Sequence, residues 1–212
     1  PPNLSTSTGE TLSAPRAFRE RVREIKALDA NVIVVLHVFS GTRRQGDFHS
    51  QMIHWGQTAQ VLVLVESADM TVDPSWDLSS PATMALLMEM IAQRLIDVVM
   101  GGAPCSTWSR LRFRTGGPRP LRFRGLLAWG REDLTEKERA AVELANTLMI
   151  NWMTLCEGVA RNGGCFIFEH PEDTLENPLP SIFATRTFLD FQLRTGCAVD
   201  SMDQCMFGSH FR

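Results

Sequence analysis

The stretch LIDVVMGGAPCSTWS, residues 95–109, decides how the chain is built. Its first half is a short apolar, β-branched run, the kind that forms a strand buried on both faces. Two glycines and a proline then stop it. Glycine lets the backbone bend sharply, and proline restricts both itself and the residue before it. The stop presents one thiol, Cys105, at a strand end among small polar residues.

Working outward, NVIVVLHVF (31–39) and QVLVLVE (60–66) are runs of the same kind, and GGCFIFEHP contains a fourth strand, 165–169. Helical patterns lie around them. PRAFRERVREIKAL precedes the first strand, HSQMIHWGQTA follows the turn SGTRRQGDF, and ATMALLMEMIAQRL follows the loop DPSWDLSSP. Thr135 and Glu138 have capping-box spacing and open a helix expected to run to about Arg161. SIFATRTFLDFQL is a further helix, and CAVDSMDQCMFG holds a late strand or an irregular segment. Strands alternating with helices argue for an α/β fold with a doubly wound, mostly parallel sheet. Ligands in such folds sit outside the carboxyl ends of the strands. FSGTRRQGD, ESADM, GGAPC and EHP therefore take the functional reading first.

Composition narrows the class. The chain has 212 residues, of which 44% are apolar and 21% charged, as in an ordinary globular domain with a real core. Residues 1–15, rich in Ser, Thr and Pro, read as an arm or linker, and 16–212 as a single domain. No apolar run approaches the roughly 20 residues of a membrane span, and no signal-peptide pattern opens the chain. It begins at Pro1 rather than Met and shows no natural stop around Arg212, so it reads as a segment of something longer. Cysteines stand at 105, 156, 165, 197 and 205, an odd number without CxxC or zinc spacing. Neither a disulfide scaffold nor a metal site is expected, and a reducing intracellular compartment follows, nuclear if the source is eukaryotic. Cys156, Cys165, Cys197 and Cys205 read as small buried hydrophobes.

The net charge of −3 does not by itself point to nucleic acid, but its distribution does. Arg110, Arg112, Arg114, Arg119, Arg122 and Arg124 crowd one Gly/Pro-interrupted stretch just after Cys105. A second basic cluster, from Arg16 to Lys26, reads as a solvated helix face.

The strand ends carry a recognisable set of groups. Phe39-Ser40-Gly41, followed by Gly46-Asp47, permits close backbone approach to a nucleotide-like group, or is simply a tight turn. Glu66 or Asp69 suits ribose hydroxyls, the alternative being an ordinary surface carboxylate. Nearby arginines would favour a Cys105 thiolate. Glu169 could face that thiol, with partial burial raising its pKa so that it can hand over a proton. His170 is the poorer candidate for a base. A thiolate, a carboxylic acid and a nucleotide-like cofactor beside an Arg-rich loop suit methylation at carbon 5 of cytosine. The thiolate adds to carbon 6, the acid protonates N3, and the resulting enamine takes a methyl group from S-adenosylmethionine. In a duplex the base must first leave the stack.

The order of motifs resembles the catalytic core of cytosine-5 DNA methyltransferases over about 39–212. FSG with Gly46 is similar to their FxGxGG cofactor turn, and GGAPCSTWS to their GPPCQxxS nucleophile loop. FEHP takes the place of their ENV segment, and MDQCMFGSHFR faintly resembles the approach to their QxRxR motif. The resemblance implies the fold of S-adenosylmethionine-dependent methyltransferases. It makes Cys105 the nucleophile, Glu169 the N3 acid and Ser109 the serine of the nucleophile loop. Phe39, Ser40, Gly41 and Pro104 would line the cofactor, Glu66 or Asp69 would hold its ribose, and Asp77 would read its adenine edge. Arg110, Arg112, Arg114, Arg119, Arg122 and Arg212 would contact DNA. Ala103 for a proline, TRRQG for the compact glycine turn and EHP for ENV mark a divergent branch, of the mobile-element methylase-like type. Against the family's pattern this segment lacks the target-recognition region and the closing cofactor motifs, so it is expected to bind cofactor yet methylate poorly or not at all. Cytosine methylation in RNA, a silent nucleic-acid-binding module and an unrelated nucleotide-binding enzyme are the alternatives.

Overall fold

The four apolar runs all become strands, and all run parallel. The computed structural model describes residues 12–202. β1 (Ile33–Val38), β2 (Val63–Ala68), β3 (Val98–Gly102) and β4 (Cys165–Glu169) form one sheet in the order β2-β1-β3-β4. The α-helices among the described residues are α1 (Ala14–Leu28), α2 (Phe48–Ala59), α3 (Pro81–Ala92), α4 (Glu136–Arg161) and α5 (Arg186–Thr195). This is an α/β architecture with a Rossmann-like topology.

Successive side chains on a strand point to opposite faces, so one strand feeds two cores. Val34, Leu36, Val38, Val99, Phe166 and Phe168 join a large cluster with Phe18 and Val22 of α1, Leu87 and Met90 of α3, Trp152 of α4 and Phe191 of α5. Val35, Val63 and Val65 pack instead with Phe48, Met52 and Ile53 of α2. Helices therefore cover both faces.

Local chemistry sets the helix ends. Pro15 lies in the first turn of α1, and Phe18 and Val22, one turn apart, bury its inner side. Lys26 in its last turn pairs with Asp97 at 2.9 Å, and Asp97 also accepts the Val34 N–H at 2.8 Å. One carboxylate thus ties α1, β1 and the start of β3 together. The capping box of α4 forms as its spacing predicts: Thr135 N–H donates to Glu138 at 2.9 Å and Glu138 N–H to the Thr135 hydroxyl at 3.4 Å.

β2 begins later than the sequence suggests. Gln60 takes a left-handed conformation (φ 57°, ψ 38°) at the end of α2, and Val61 N–H returns to the Gly56 carbonyl at 2.9 Å. Residues 60 and 61 therefore finish a helix instead of starting a strand, the Leu62 carbonyl accepts the Ile33 N–H at 2.9 Å, and β2 runs on to Ala68. The segment expected as a helix from 181 opens with a 3-10 turn, Ile182–Ala184, before Thr185 caps α5. Residues 197–202 of the late segment are irregular, and its remainder, with Cys205, lies outside the described residues.

The strand order reverses beside β1: the chain goes from β1 to β2 on one side and from β3 to β4 on the other. The connections leaving the carboxyl ends of β1 and β3 go to opposite sides, which makes this pair the switch point where open α/β sheets bind ligands. Val38 and Gly101 pair there, and a β-carbon on Gly101 would collide with the Val38 carbonyl oxygen.

Candidate functional site

The loop after β1 is bent by two left-handed residues, Phe39 (φ 53°) and Gly41 (φ 64°). A bulky residue in this region is an outlier costing of order 1–3 kcal/mol, and it persists only where surrounding structure imposes it. The Phe39 ring lies edge-on to Trp152 at 6.3 Å, and Gly41 N–H donates to Asp69 Oδ2 at 2.8 Å. Asp69 Oδ1 also accepts the Thr71 N–H at 2.8 Å. Burial opposes the Asp69 charge, but the hydrogen bonds from Thr71 and Gly41 outweigh it and hold the carboxyl below its ordinary value. The loops after β1 and β2 are thereby clamped to each other. Ser40 donates to the Gly41 carbonyl at 3.2 Å.

Of the two acids expected at the end of β2, the structure puts only Asp69 there. Glu66 lies within the strand, opposite Leu36, and is ion-paired with Arg21 of α1. Burial pushes its carboxyl up, with Arg21 partly offsetting the effect. Glu66 does not end β2, because the strand runs on to Ala68, and of the two acids Asp69 is the one at the strand end. Asp77 ends the 3-10 turn Pro74–Trp76 and accepts from Ser79 N–H at 2.8 Å and the Ser79 hydroxyl at 2.7 Å, bonds internal to its own turn.

Beyond β3, Ala103 is buried while Pro104 and Cys105 are exposed. The Cys105 carbonyl accepts the Trp108 N–H at 2.8 Å, closing a tight turn. Glu169 is the last residue of β4 and pairs with Gly102. A β-carbon on Gly102 would collide with Glu169 Oε2, so the carboxyl leans over the end of β3. Both side chains reach the surface, yet enough protein surrounds their polar ends to disfavour charge. Burial pushes the Cys105 thiol above its ordinary value and the Glu169 charge pushes it further. Burial likewise raises Glu169, as expected for a proton donor. The expectation that nearby arginines favour the thiolate is corrected: the charge that bears on the thiol is negative.

Ser109 accepts the Leu111 N–H at 3.2 Å and caps a 3-10 turn, Arg110–Phe113. His170 is buried, and neither ring nitrogen has a hydrogen-bond partner. Burial, aided by the Arg122 charge, lowers its pKa to about 4. It faces the core as a neutral ring.

The arginines separate into three groups. Arg122 is fully buried and cannot reach a phosphate, which corrects its expected nucleic-acid role. Arg112 donates to the carbonyls of Ser106 and Arg119, Arg119 pairs with Asp133 and Glu138 at 3.3 Å each, and Arg124 pairs with Asp173. Arg110 and Arg114 are exposed, and their side chains make no hydrogen bond or ion pair among the described residues. Arg212 lies outside the described residues.

Sequence reading misses the aromatic framework behind Cys105. Trp108 is buried, edge-on to Trp129 at 5.8 Å and to His170 at 5.7 Å. Tryptophans in the polar stretches STWS and LAWG are the signal that would have found it, because a large aromatic ring rarely stays in solvent. Cys156 is buried as expected, whereas Cys165 is exposed on β4 and Cys197 half-buried. Clefts of about 530 Å³ beside β4 and α5 and about 580 Å³ between α1 and α3 include none of the expected site residues.

A comparison of the chain with protein-family models, with curated proteins and with solved structures finds no match. Among the described residues no helix is long and apolar enough to cross a membrane, and no group of three or more His, Cys, Asp or Glu is arranged to hold a metal ion.

Proposed function

We propose that the chain is a methyltransferase core that moves a methyl group from S-adenosylmethionine to carbon 5 of cytosine in nucleic acid, DNA foremost. One observation carries the reading: Cys105 follows β3 and Glu169 ends the adjacent β4, next to the switch point, and the Glu169 charge bears on the thiol.

The residues of the β1 and β2 loops fit the cofactor. A β-carbon at Gly41 would meet nothing within 4 Å, so the backbone is open to a ligand. Asp69 uses three of roughly four acceptor positions on its own loops, leaving one for a ribose hydroxyl. When bound there, S-adenosylmethionine supplies an electrophilic methyl group.

Cys105 and Glu169 divide the remaining work. A charged Glu169 opposes the thiolate, and a neutral one does not, so the protonated acid needed at N3 is also the state that releases the nucleophile. The thiolate forms a bond to carbon 6. The electron pair of the 5,6 bond shifts toward N3, which takes the proton of Glu169, leaving carbon 5 nucleophilic. Once carbon 5 carries the methyl group, solvent takes its proton, that electron pair restores the 5,6 bond and expels the thiolate, and N3 returns its proton to Glu169. Arg110 and Arg114, exposed in the loop after Cys105, would meet phosphates.

The test is intact mass after incubation with S-adenosylmethionine and oligonucleotides carrying 5-fluorocytosine, as single-stranded DNA, duplex DNA and RNA. Fluorine at carbon 5 blocks the final elimination and traps the covalent adduct. An adduct that disappears in Cys105→Ala supports the reading. Nucleic-acid binding without an adduct on any of the three supports a silent binding module instead.

A further inference from the structure

The buried arginine behind Cys105 has a different task from its neighbours. The Arg122 guanidinium is fully buried and has no carboxylate partner among the described residues. Its Nε donates to the Thr107 hydroxyl at 3.0 Å, Nη1 to the Ala128 carbonyl at 3.0 Å and Asn146 Oδ1 at 2.8 Å, and Nη2 to the Val142 carbonyl at 3.3 Å. The same group lies 4.2 Å from the centre of the Trp108 ring. Burying an unpaired cation is expensive, even when carbonyls and an aromatic face surround it. Lysine could not replace it, since one ammonium cannot fork to acceptors on several elements.

Trp108 joins the two halves of the site. Its backbone N–H donates to the Cys105 carbonyl at 2.8 Å, and its ring lies edge-on to His170, the residue after Glu169. A neutral His170 can remain near Arg122, whereas an imidazolium would be repelled. We propose that Arg122 is a positioning residue: by holding Thr107 and Trp108 between α4 and His170, it sets the separation between the Cys105 thiol and the Glu169 carboxyl. The inference rests on those two groups acting as a pair, but its test needs neither cofactor nor nucleic acid.

The experiment is the pH profile of Cys105 alkylation by iodoacetamide, read by peptide-resolved mass spectrometry so that the other cysteines do not interfere. Glu169 is the charged side chain acting on this thiol among the described residues. The wild-type midpoint is expected above the ordinary thiol value of about 8.5, and Glu169→Gln lowers it. Arg122→Met is expected to lower it too and to speed alkylation at pH 7 severalfold. Adding Glu169→Gln to Arg122→Met then produces little further change, and Arg122→Lys does not restore the wild-type midpoint. Thr107→Val removes one bond and shifts the midpoint less, in the same direction. It decides the matter if Arg122→Met fails to fold by circular dichroism.

Folded variants that keep the wild-type midpoint, and the full response to Glu169→Gln, overturn the inference. An absent 5-fluorocytosine adduct alongside an Arg122-dependent midpoint overturns methyl transfer instead and leaves this inference standing.

Discussion

Gly102 and Glu169 are partners in the β3–β4 ladder, and the place where a side chain at 102 would begin is filled by a carboxylate oxygen of Glu169. Gly102→Ala must therefore push that carboxyl aside. The strand itself has little reason to break, because the nearest backbone atom, the Glu169 carbonyl oxygen, would be 3.3 Å from the new methyl. We expect adduct formation to slow about tenfold, equivalent to about 1.4 kcal/mol of barrier, with a stability loss of about 1 kcal/mol. Adduct kinetics and urea melts on the same preparation check both. Unaltered kinetics would show that the carboxyl position is irrelevant to the thiol.

Asp69 and Glu66 should part company in cofactor binding. Asp69→Asn weakens the Gly41 clamp and removes a charged acceptor, so S-adenosylhomocysteine affinity is expected to fall about tenfold, the order of one charge-assisted hydrogen bond. Glu66→Gln should leave that affinity within a factor of about two, a difference under about 0.5 kcal/mol, and act on α1 docking through Arg21. Isothermal titration separates the two. NAD should stabilise neither variant nor wild type, and equal effects of Asp69 and Glu66 would remove the clamp from the binding site.

Within the Arg-rich loop, nucleic-acid affinity should depend chiefly on Arg110 and Arg114, whose side chains have no partner among the described residues. Replacing Arg110 and Arg114 by alanine is expected to lower the slope of log K against log salt by about 2, close to one per released phosphate contact. Arg119→Ala should leave the slope alone, because Asp133 and Glu138 already neutralise that side chain. Fluorescence anisotropy at several salt concentrations measures the slopes, and equal effects of Arg119 and Arg110 would move the contact surface.

His170 should make the fold acid-sensitive. Its pKa is about 4 in the folded chain against an ordinary 6.5, so between these values the unfolded chain binds a proton that the native one refuses. Stability contributed by the neutral ring is fully present above pH 6.5 and is lost as pH falls toward 4. At the acid limit the loss is about 3 kcal/mol. His170→Phe keeps an aromatic ring against Trp108 and Phe183 and removes this component. Urea midpoints at pH 7.5 and 4.5 test it: the gap between variant and wild type should move in the variant's favour at the lower pH.

The sheet is legible in the sequence because β-branched runs of five or six residues have few other uses, and the α4 cap is legible because Thr135 and Glu138 satisfy each other locally. Strand order is a matter of long-range pairing and leaves no local trace. The same holds for Glu66: it lies inside β2 because the strand stays paired with β1 as far as Ala68, which the residue types at 66–68 do not announce. In the Arg-rich stretch, residue type cannot separate Arg122 from Arg110. Only the arrival of the Val142 carbonyl and Asn146 of α4, with the Ala128 carbonyl, determines which guanidinium is taken from solvent. Cys105 and Glu169 were findable because strand ends in a parallel sheet converge. For Trp108 a tryptophan in a polar stretch signals burial, but its partners come from three separate segments and are not legible locally.

Gly101 and Gly102 are neighbours in the chain, yet they differ in how reversible their loss would be. A side chain at 102 meets the far end of a flexible glutamate, so a shorter acid at 169 can make room for it, and the pair can change together in either order. A side chain at 101 meets the carbonyl of Val38, which belongs to every possible residue at that position. No second substitution can clear it. In a library selected for function, position 102 should recover through compensation at 169, and position 101 should return only as glycine.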